Sequence, residues 1–311
     1  MSCHFSIVIC TYNPDERLLA RSIRSVLNQR TSMVQFECVI VDNNSSVPIQ
    51  ELDCVRQLAA HPQFKVILES RPGLSHARIA GVNHSQAPVI IFVDDDNELS
   101  EEYLQNLKEL LDAHPDVASW GPGIIHVDYI DGAPSWIRDH FSALFQEKNL
   151  VKTQYGCVAG WPDYYPAGSG LVIKREVFNQ YISLYEKGIL TATDRNGNSM
   201  ASAGDSQIVW TAIKMGLSAG TSPLLKLTHI IPAKRLSVDY LKKLNYGVSN
   251  SYYKALQETF PGTPKPFKKR SFAGRIAFMF RIALEAKINP VLFFRMYTVK
   301  NAWVKGYEDI A

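Results

Sequence analysis

The chain has 311 residues, of which 46% are apolar and 20% charged, and its formal net charge is +3. This composition excludes a disordered chain and is typical of a well-cored globular protein. The five cysteines are scattered, so we expect no disulfide framework and infer a reducing compartment. The N-terminus lacks a signal-peptide pattern, and no apolar run reaches the ~18 residues that span a bilayer. We therefore expect a cytoplasmic protein that does not bind nucleic acid.

The first part of the chain alternates four times between strand-like and helix-like patterns. The predicted strands are apolar and rich in β-branched residues, and they run over Phe5 to Tyr12, Phe36 to Val41, Phe64 to Leu68 and Val89 to Val93. Helices are predicted between them, including one from about Ile49 to Ala60, and Ser100 is predicted to cap the helix after the fourth strand. This alternation is typical of a mostly parallel sheet with helical crossovers.

Three adjacent carboxylates, Asp94, Asp95 and Asp96, follow the fourth strand directly. Open α/β sheets bind their ligands at the carboxyl ends of the strands, where this cluster is expected. Mutual repulsion makes such a cluster costly unless a cation relieves it, and Mg²⁺ or Mn²⁺ suits carboxylate oxygens. The alternative is a solvated acidic turn after a core strand.

Other polar residues follow the remaining predicted strands. Asp42 ends the second strand, where an acidic residue commonly contacts a ribose, although it could instead bond its own turn. Arg78 follows a glycine turn and could contact phosphate or simply pair with an acid. The first strand is followed by neither a Gly-x-Gly-x-x-Gly motif nor a P-loop, which disfavours dinucleotide-binding enzymes and P-loop NTPases.

The middle of the chain is less regular and leaves alternatives open. Asp205 begins an apolar helix after a Gly-, Ser- and Asn-rich stretch and could be no more than an N-cap. His229 lies in a strand-like run, where a packed histidine is the usual case. Aromatic residues of this region could bind a sugar or pack locally; they are Trp136, Trp161, Tyr164 and Tyr165.

The C-terminal part is basic. A long helix is predicted from Arg235 to Phe260, followed by a proline-rich linker. From Lys265 onward there are ten basic and three acidic residues, a net charge of +7. A basic cluster (Lys265, Lys268, Lys269 and Arg270) precedes an amphipathic helix with an apolar stripe of Phe272, Ile276, Met279 and Phe280. Phe278 and Ile282 interrupt the polar side of this helix and blur the pattern. This pattern favours docking on an anionic membrane surface, on the inner face of the cytoplasmic membrane. Packing on the rest of the protein or on a second subunit is the alternative.

Five short motifs, in order, resemble those of family 2 glycosyltransferases over about residues 4 to 235. Asp94-Asp95-Asp96 matches the Asp-x-Asp motif of that family, and Gly204-Asp205-Ser206-Gln207-Ile208 is similar to its Glu-Asp-x-Glu-Leu motif. Gly204 and Gln207 replace the two glutamates of that motif. The remaining similar segments are Ile7 to Asn13, Val41 to Ser46 and Gly73 to Arg78, and His229 falls where many members carry a late histidine.

This resemblance implies an α/β fold of the GT-A type, Rossmann-like and mostly parallel, with a helical C-terminal extension. It implies an inverting enzyme that moves a sugar from a UDP- or GDP-sugar to an acceptor hydroxyl on a glycan or lipid-linked glycan, in the synthesis of cell-surface polysaccharide or glycolipid. Asp205 would be the base, and Asp96 and His229 would hold Mn²⁺ or Mg²⁺. The donor would contact Thr11, Tyr12, Asn13, Asp42, Arg78, Asp94 and Asp95.

The same resemblance suggests three parts: residues 1–118 for the nucleotide-sugar, 119–260 for the acceptor and catalysis, and 261–311 as the basic helical extension. Two other functions remain as alternatives. A sugar-phosphate nucleotidyltransferase uses a similar sheet and metal, although the basic glycine-rich loop it usually carries is absent between Thr11 and Glu16. A non-catalytic carbohydrate-binding protein could keep the fold. Oligomeric state is left open.

Overall fold

The computed structural model describes residues 3–30, 34–192, 194–195, 200–263 and 270–310. Among these residues one mixed sheet contains ten strands. They are β1 Phe5–Thr11, β2 Phe36–Asp42, β3 Phe64–Leu68, β4 Val89–Asp94, β5 Asn97–Leu99, β6 Val117–Asp128, β7 Lys148–Asn149, β8 Gln154–Gly156, β9 Leu171–Lys174 and β10 Ser218–Ile230.

The sheet has the order β3-β2-β1-β4-β9-β6-β10-β5, with β7 on β6 and β8 on β10. The first four predicted strands form its parallel half, in which β1 lies between β2 and β4. The insertion of β9, antiparallel to both β4 and β6, joins this half to the parallel pair β6 and β10. The carboxyl ends of β1, β2 and β4 therefore lie at one edge of the sheet.

Helices cover both faces, as the alternating patterns predicted. They are α1 Glu16–Leu27, α2 Asp53–Arg56, α3 Leu74–Asn83, α4 Tyr103–Ala113, α5 Ser135–Phe141, α6 Arg175–Glu186, α7 Gly204–Lys214, α8 Val238–Thr259, α9 Phe272–Glu285 and α10 Pro290–Glu308. Side chains of β1 alternate between two cores: Ile7 and Ile9 pack with α1 and α4, whereas Val8 packs with α3, α6 and α7. Burial on both faces explains why the strands read as continuous apolar runs.

Two local predictions are wrong. The segment from Ile49 to Ala60 is not one helix but three short helical pieces, because Leu52 takes an extended conformation (ψ 137°) between the first two. Ser100 does not cap α4 with its side chain: its buried hydroxyl finds no hydrogen-bond partner among the described residues, and the helix begins at Tyr103. The Ser100 carbonyl instead accepts from the Tyr103 N–H at 3.0 Å.

A third core joins the C-terminal helices to the rest of the chain. Phe278 and Ile282 on α9 and Met296 and Val299 on α10 are buried with Leu241 of α8. The alternative of packing on the same chain therefore holds for one face of these helices. Lys265, Lys268 and Lys269 of the predicted basic cluster lie outside the described residues. None of the described helices has both the length and the apolar character needed to cross a bilayer.

The close approach of α3 to the sheet gives a stability prediction. A β-carbon at Gly81 would overlap Val8 Cγ1 and lie 3.1 Å from Val41 Cγ2, whereas one at Gly274 of α9 would meet nothing closer than 3.4 Å. Gly81→Ala should lower the free energy of unfolding by about 1–3 kcal/mol through overpacking. The control Gly274→Ala should leave stability unchanged or raise it by up to about 1 kcal/mol. Urea unfolding measures both, and equal stability of the two variants would contradict the close packing.

Candidate active site

A cleft of about 360 Å³ opens at the edge where β1, β2 and β4 end. Parallel register places Thr11 of β1 beside Asp42 of β2, and Cys10 beside Asp94 of β4. The walls include residues from both halves of the chain, among them Thr11, Tyr12, Asn13, Arg78, Asp94, Asp95, Asp96, Asp205 and His229. Nine of the ten sequence-predicted site residues thus come together on one cavity.

The three carboxylates have different surroundings. The Thr11 hydroxyl donates to Asp95 Oδ2 at 2.5 Å, and the Ser169 hydroxyl donates to Asp94 Oδ2 at 3.3 Å. Burial, and next the charge of Asp96, raises the pKa of Asp95 to about 7. The cluster is therefore not a solvated acidic turn but a partly buried group of interacting acids.

Asp96 is 3% exposed and lies between His229 of β10 and Arg235, which follows that strand. His229 Nε2 is 3.6 Å from Asp96 Oδ1, and the Arg235 guanidinium forms an ion pair with Asp96 Oδ2. Burial acts against ionisation, but Arg235, and His229 when its ring is protonated, hold the pKa of Asp96 well below its ordinary value. Asp96 therefore stays ionised at neutral pH.

The hydrogen bonding of His229 bears on metal binding. Its Nδ1 is 2.8 Å from the Phe145 carbonyl, which can only accept, so Nδ1 carries the proton. In the neutral ring Nε2 then presents a lone pair toward the Asp96 carboxylate, and two acceptors at 3.6 Å favour a cation between them. A carbonyl that fixes the other ring nitrogen is also the usual support for a metal-binding histidine.

The donor set therefore fits a divalent cation. The described residues contain no group of three or more His, Cys, Asp or Glu arranged to hold a metal. One carboxylate and one imidazole suit an ion whose remaining ligands are water and substrate phosphate, as is usual for Mg²⁺. Arg235 shares Asp96 in this arrangement, so metal binding requires the guanidinium to shift or to share that carboxylate.

Asp205 lies in the first turn of α7 but is not its N-cap, which is Ala203. Its Oδ2 accepts from the Gly168 N–H at 2.9 Å and its Oδ1 from the Ser206 N–H at 2.8 Å. Burial, and next the nearby Asp194 carboxylate, raises the pKa of Asp205 to about 6, although Arg78 acts in the opposite direction. A carboxylate that exchanges its proton near neutral pH is suited to general-base chemistry.

Arg78 pairs with an acid, but a buried one. Its Nη1 is 2.9 Å from Asp194 Oδ2, and both side chains are at most 5% exposed. The guanidinium carbon also lies 5.4 Å from the centre of the Phe92 ring. Arg78 still contributes to the cavity wall, although one of its nitrogens is engaged by Asp194.

At the end of β2 the structure favours the turn interpretation of Asp42. This side chain is 2% exposed and accepts from the N–H groups of Ser45 (2.9 Å) and Ile49 (3.3 Å). The cavity wall here is formed by Asn43, whose Oδ1 accepts from the Gly73 N–H at 2.8 Å. The Asp42 carboxylate, which was predicted to contact the ribose of the donor, is thus already engaged by N–H groups of the protein backbone.

The aromatic residues pack locally. Trp161 lies edge-on to Tyr165 and Trp210, with ring centres 5.8 and 5.7 Å apart. Trp136 packs on Phe141 and beneath Arg295. These contacts favour the packing alternative over direct sugar binding for both tryptophans.

Sequence analysis did not identify several charged residues that line the cleft. Lys234 and Arg235 follow the end of β10, so the same strand-end argument that selected Asp94 could have found them. Asp194 and Arg195 lie in an irregular Gly-, Ser- and Asn-rich stretch without periodicity, which offered no signal. The cleft therefore combines a cluster of acids with three cations that the sequence did not identify.

Comparison with solved structures identifies the architecture. The chain resembles a mannosyltransferase from Pyrobaculum calidifontis solved with GDP-mannose and Mn²⁺, at a TM-score of 0.63 and 18% identity over 99% of this chain and 87% of that one. It also resembles GalNAc-T7 solved with UDP, GalNAc and Mn²⁺, at a TM-score of 0.57 and 17% identity over 82% of this chain and 48% of that one. The predicted α/β fold of the GT-A type is confirmed.

Sequence comparison finds relatives that match about a third of the chain. The poly(ribitol-phosphate) β-N-acetylglucosaminyltransferase TarP of Staphylococcus aureus is 30% identical over 102 residues, 33% of this chain and 31% of TarP. Polypeptide N-acetylgalactosaminyltransferase 11 of Xenopus tropicalis is 32% identical over 113 residues, 35% of this chain and 19% of that protein. The chain thus spans less than a third of the length of these relatives. The model of glycosyl transferase family 2 matches residues 6–182, which is more than half of the chain, so the chain belongs to this family.

Proposed function

We propose that the protein is an inverting, metal-dependent glycosyltransferase that moves a sugar from a UDP- or GDP-sugar to an acceptor hydroxyl. The observation that carries this proposal is one cleft that holds both the Asp94–Asp96 cluster and the buried carboxylate of Asp205. Family membership and the nucleotide-sugar ligands of structural relatives support the donor class. Relatives named as a poly(ribitol-phosphate) β-N-acetylglucosaminyltransferase and as a succinoglycan biosynthesis protein support a glycan or lipid-linked glycan acceptor, as in polysaccharide assembly.

The proposed reaction is a single displacement. Asp205 accepts the proton of the acceptor hydroxyl as its oxygen attacks the anomeric carbon, and the bond from that carbon to the nucleoside diphosphate breaks. Attack from the side opposite the leaving group inverts the anomeric configuration. Asp205 is oriented for this role by the N–H groups of Gly168 and Ser206, which leave its remaining lone pairs for the acceptor.

Asp96 and His229 would hold Mn²⁺ or Mg²⁺. Such an ion would neutralise the negative charge on the departing nucleoside diphosphate. Lys234 and Arg235, which line the same cleft, are placed to contact phosphate oxygens as well. In this proposal residues 1–118 bind the donor through Thr11, Tyr12, Asn13, Arg78, Asp94 and Asp95, while Asp42 holds the turn that follows β2. Residues 119–260 supply the acceptor side, and residues 261–311 form the extension.

A panel of nucleotide-sugars with Mn²⁺ tests this proposal, with release of the nucleoside diphosphate as the signal. We expect release from one or a few UDP- or GDP-sugars. A parallel panel of nucleoside triphosphates with sugar phosphates detects pyrophosphate, the product of a nucleotidyltransferase. Pyrophosphate without diphosphate release would replace glycosyl transfer with that activity, and sugar binding without either product would indicate a non-catalytic binding protein.

We also propose that the C-terminal helices dock on an anionic membrane surface. Phe278 and Ile282, which interrupt the apolar stripe of α9 in the sequence, are the residues that face the third core. The stripe itself stays exposed: Phe272 is 80% and Phe280 66% exposed, and Phe294 of α10 is 67% exposed. An apolar face of this kind in a segment of net charge +7 is suited to the interface of an anionic leaflet.

Vesicle co-sedimentation checks this docking. The full chain should bind anionic vesicles but not neutral ones, and binding should weaken at high salt. The paired change Phe280→Ser with Phe294→Ser should reduce binding at least tenfold, because it removes apolar contact area without uncovering the third core. Val151→Ser, at a 92% exposed residue elsewhere, is the matched control and should bind normally. Equal binding to anionic and neutral vesicles would contradict docking. Equal binding of the double phenylalanine variant and the Val151→Ser control to anionic vesicles would also contradict it.

A further inference from the structure

Two carboxylates from distant segments lie beside α7. They are next to positions 204 and 207, where the similar Glu-Asp-x-Glu-Leu motif has glutamates. At position 204 the chain has glycine, and a β-carbon there would overlap Asp194 Oδ2. At position 207 it has glutamine, whose Nε2 donates to Glu258 Oε2 at 2.8 Å. The acids missing from the motif are thus replaced in space by Asp194 and Glu258.

Glu258 fixes the segment that leads to Asp194. Besides Gln207, this α8 side chain accepts from the Thr191 N–H at 2.8 Å, the Thr191 hydroxyl at 2.6 Å and the Ala192 N–H at 2.9 Å. Four hydrogen bonds on one carboxylate hold α7, α8 and the chain at residues 191–192 together. Asp194 follows two residues later, so this anchor holds the chain on its N-terminal side.

Asp194 in turn controls the environment of Asp205. It is 4% exposed, pairs with Arg78 and accepts from the Gly204 N–H at 3.3 Å. A β-carbon at Gly168 would lie 3.1 Å both from Arg78 Nη2 and from Asp205 Oδ2, so these two groups face each other across Gly168. Asp194 therefore competes with Asp205 for the Arg78 guanidinium, which interacts with both carboxylates.

We infer that Asp194 is a positioning residue for Asp205: it holds Arg78 and supplies, from another segment, the carboxylate that position 204 lacks. The catalytic meaning of this inference rests on the proposed function, whereas its electrostatic content does not. Among the described residues, the titratable groups that act on Asp205 or on Arg78 are Asp194 from the loop, Arg78 from α3, Asp94 from β4 and the Cys10 thiol from β1.

The expected pH dependence follows from these charges. Burial and Asp194 raise the pKa of Asp205 to about 6, and Arg78 lowers it. A base must be ionised, so kcat/KM should fall as the pH drops below about 6. Removing the charge of Asp194 takes away a group that raises the pKa of Asp205, and it frees Arg78, which lowers that pKa. The pKa of Asp205 should therefore fall by about one unit or more. The acid limb, which is the part of the pH profile where kcat/KM falls with decreasing pH, should move to lower pH by the same amount.

Asp194→Asn is the first test, with two readouts. Carbon-13 NMR of aspartate carboxyls, with the Asp205 signal assigned through Asp205→Asn, should show the downward pKa shift directly. With an active donor from the panel, kcat should fall about tenfold, KM for the donor should change less than twofold, and the acid limb should move down. Asp112→Asn, which removes an exposed charge on α4, is the control and should change none of these.

A carboxylate swap keeps the test decisive if Asp194→Asn folds poorly. Asp194→Ala combined with Gly204→Glu returns the acid to position 204, where the deleted side chain leaves room. This double variant should recover the wild-type pKa of Asp205 and most of kcat, whereas Asp194→Ala alone should recover neither.

Several results would overturn the inference. One is an unchanged pKa of Asp205 in folded Asp194→Asn. Another is that Asp194→Asn loses stability while the acid limb of its pH profile stays where it is in the wild type. The third is a double variant that does not fold or does not restore the pKa of Asp205. If the wild-type chain releases no nucleoside diphosphate, the proposed function fails, and the NMR titration still decides the role of Asp194 on its own.

Discussion

Asp205→Asn is expected to lower turnover by about 100-fold or more, the scale of general-base catalysis. The amide keeps the shape of the carboxylate but cannot accept the acceptor's proton. Donor affinity should barely change, because none of the expected donor contacts lies on α7. Steady-state kinetics with isothermal calorimetry of donor binding separates the two effects.

Stability provides the control for this variant. One oxygen of Asp205 would become an NH₂ group facing a backbone N–H, which loses a hydrogen bond of about 1 kcal/mol. That loss is offset because a buried negative charge is also removed. The melting temperature should therefore change little. A large fall in melting temperature with near-normal turnover would show that Asp205 serves only to hold α7 and Gly168 together.

Asp96→Ala should abolish transfer and weaken donor binding in the presence of Mn²⁺. Asp96 is the ionised carboxylate beside His229, so its removal would leave His229 as the one remaining protein ligand of the proposed metal site. Calorimetric titration of UDP or GDP, with Mn²⁺ and with EDTA, measures the effect. The wild type should bind far more tightly with Mn²⁺, and the variant should show no difference between the two conditions.

A second variant separates the loss of a metal ligand from the loss of an ion pair. Asp96→Ala leaves the Arg235 guanidinium without its partner in a site where its side chain is 18% exposed, and this alone can destabilise the fold. Asp96→Ala with Arg235→Ala removes that unpaired charge and should regain stability without regaining Mn²⁺ dependence. Mn²⁺-dependent donor binding by the double variant would contradict the metal assignment to Asp96.

The parallel half of the sheet and its ligand edge could be predicted because their signals are local. Continuous β-branched runs separated by helical periodicity specify parallel strands, and parallel strands bring their carboxyl ends together. Thr11 and Asp95 are 84 residues apart and nevertheless share a hydrogen bond for this reason. The antiparallel insertion of β9 between β4 and β6 carries no comparable signal in four residues.

Residues that act through tertiary contacts could not be predicted in this way. Asp194 lies in a polar stretch without periodicity, and its importance comes from Arg78, 116 positions away. Asp42 shows the reverse case: a strand-end acid whose oxygens are engaged by the turn that follows. On α9, Phe278 and Ile282 lie off the apolar stripe because they form the inner face of the helix, which packs in the third core.

The stereochemistry of donor cleavage tests most directly the central claim that Asp205 directs a nucleophile in a single displacement. With a donor that the panel shows to be turned over, water serves as the acceptor, and proton NMR in the first minutes records the released sugar before its anomers equilibrate. An α-linked donor should yield the β-anomer first, at a rate that falls about 100-fold or more in Asp205→Asn. Initial release of the α-anomer, or an unchanged rate in that variant, would contradict the account.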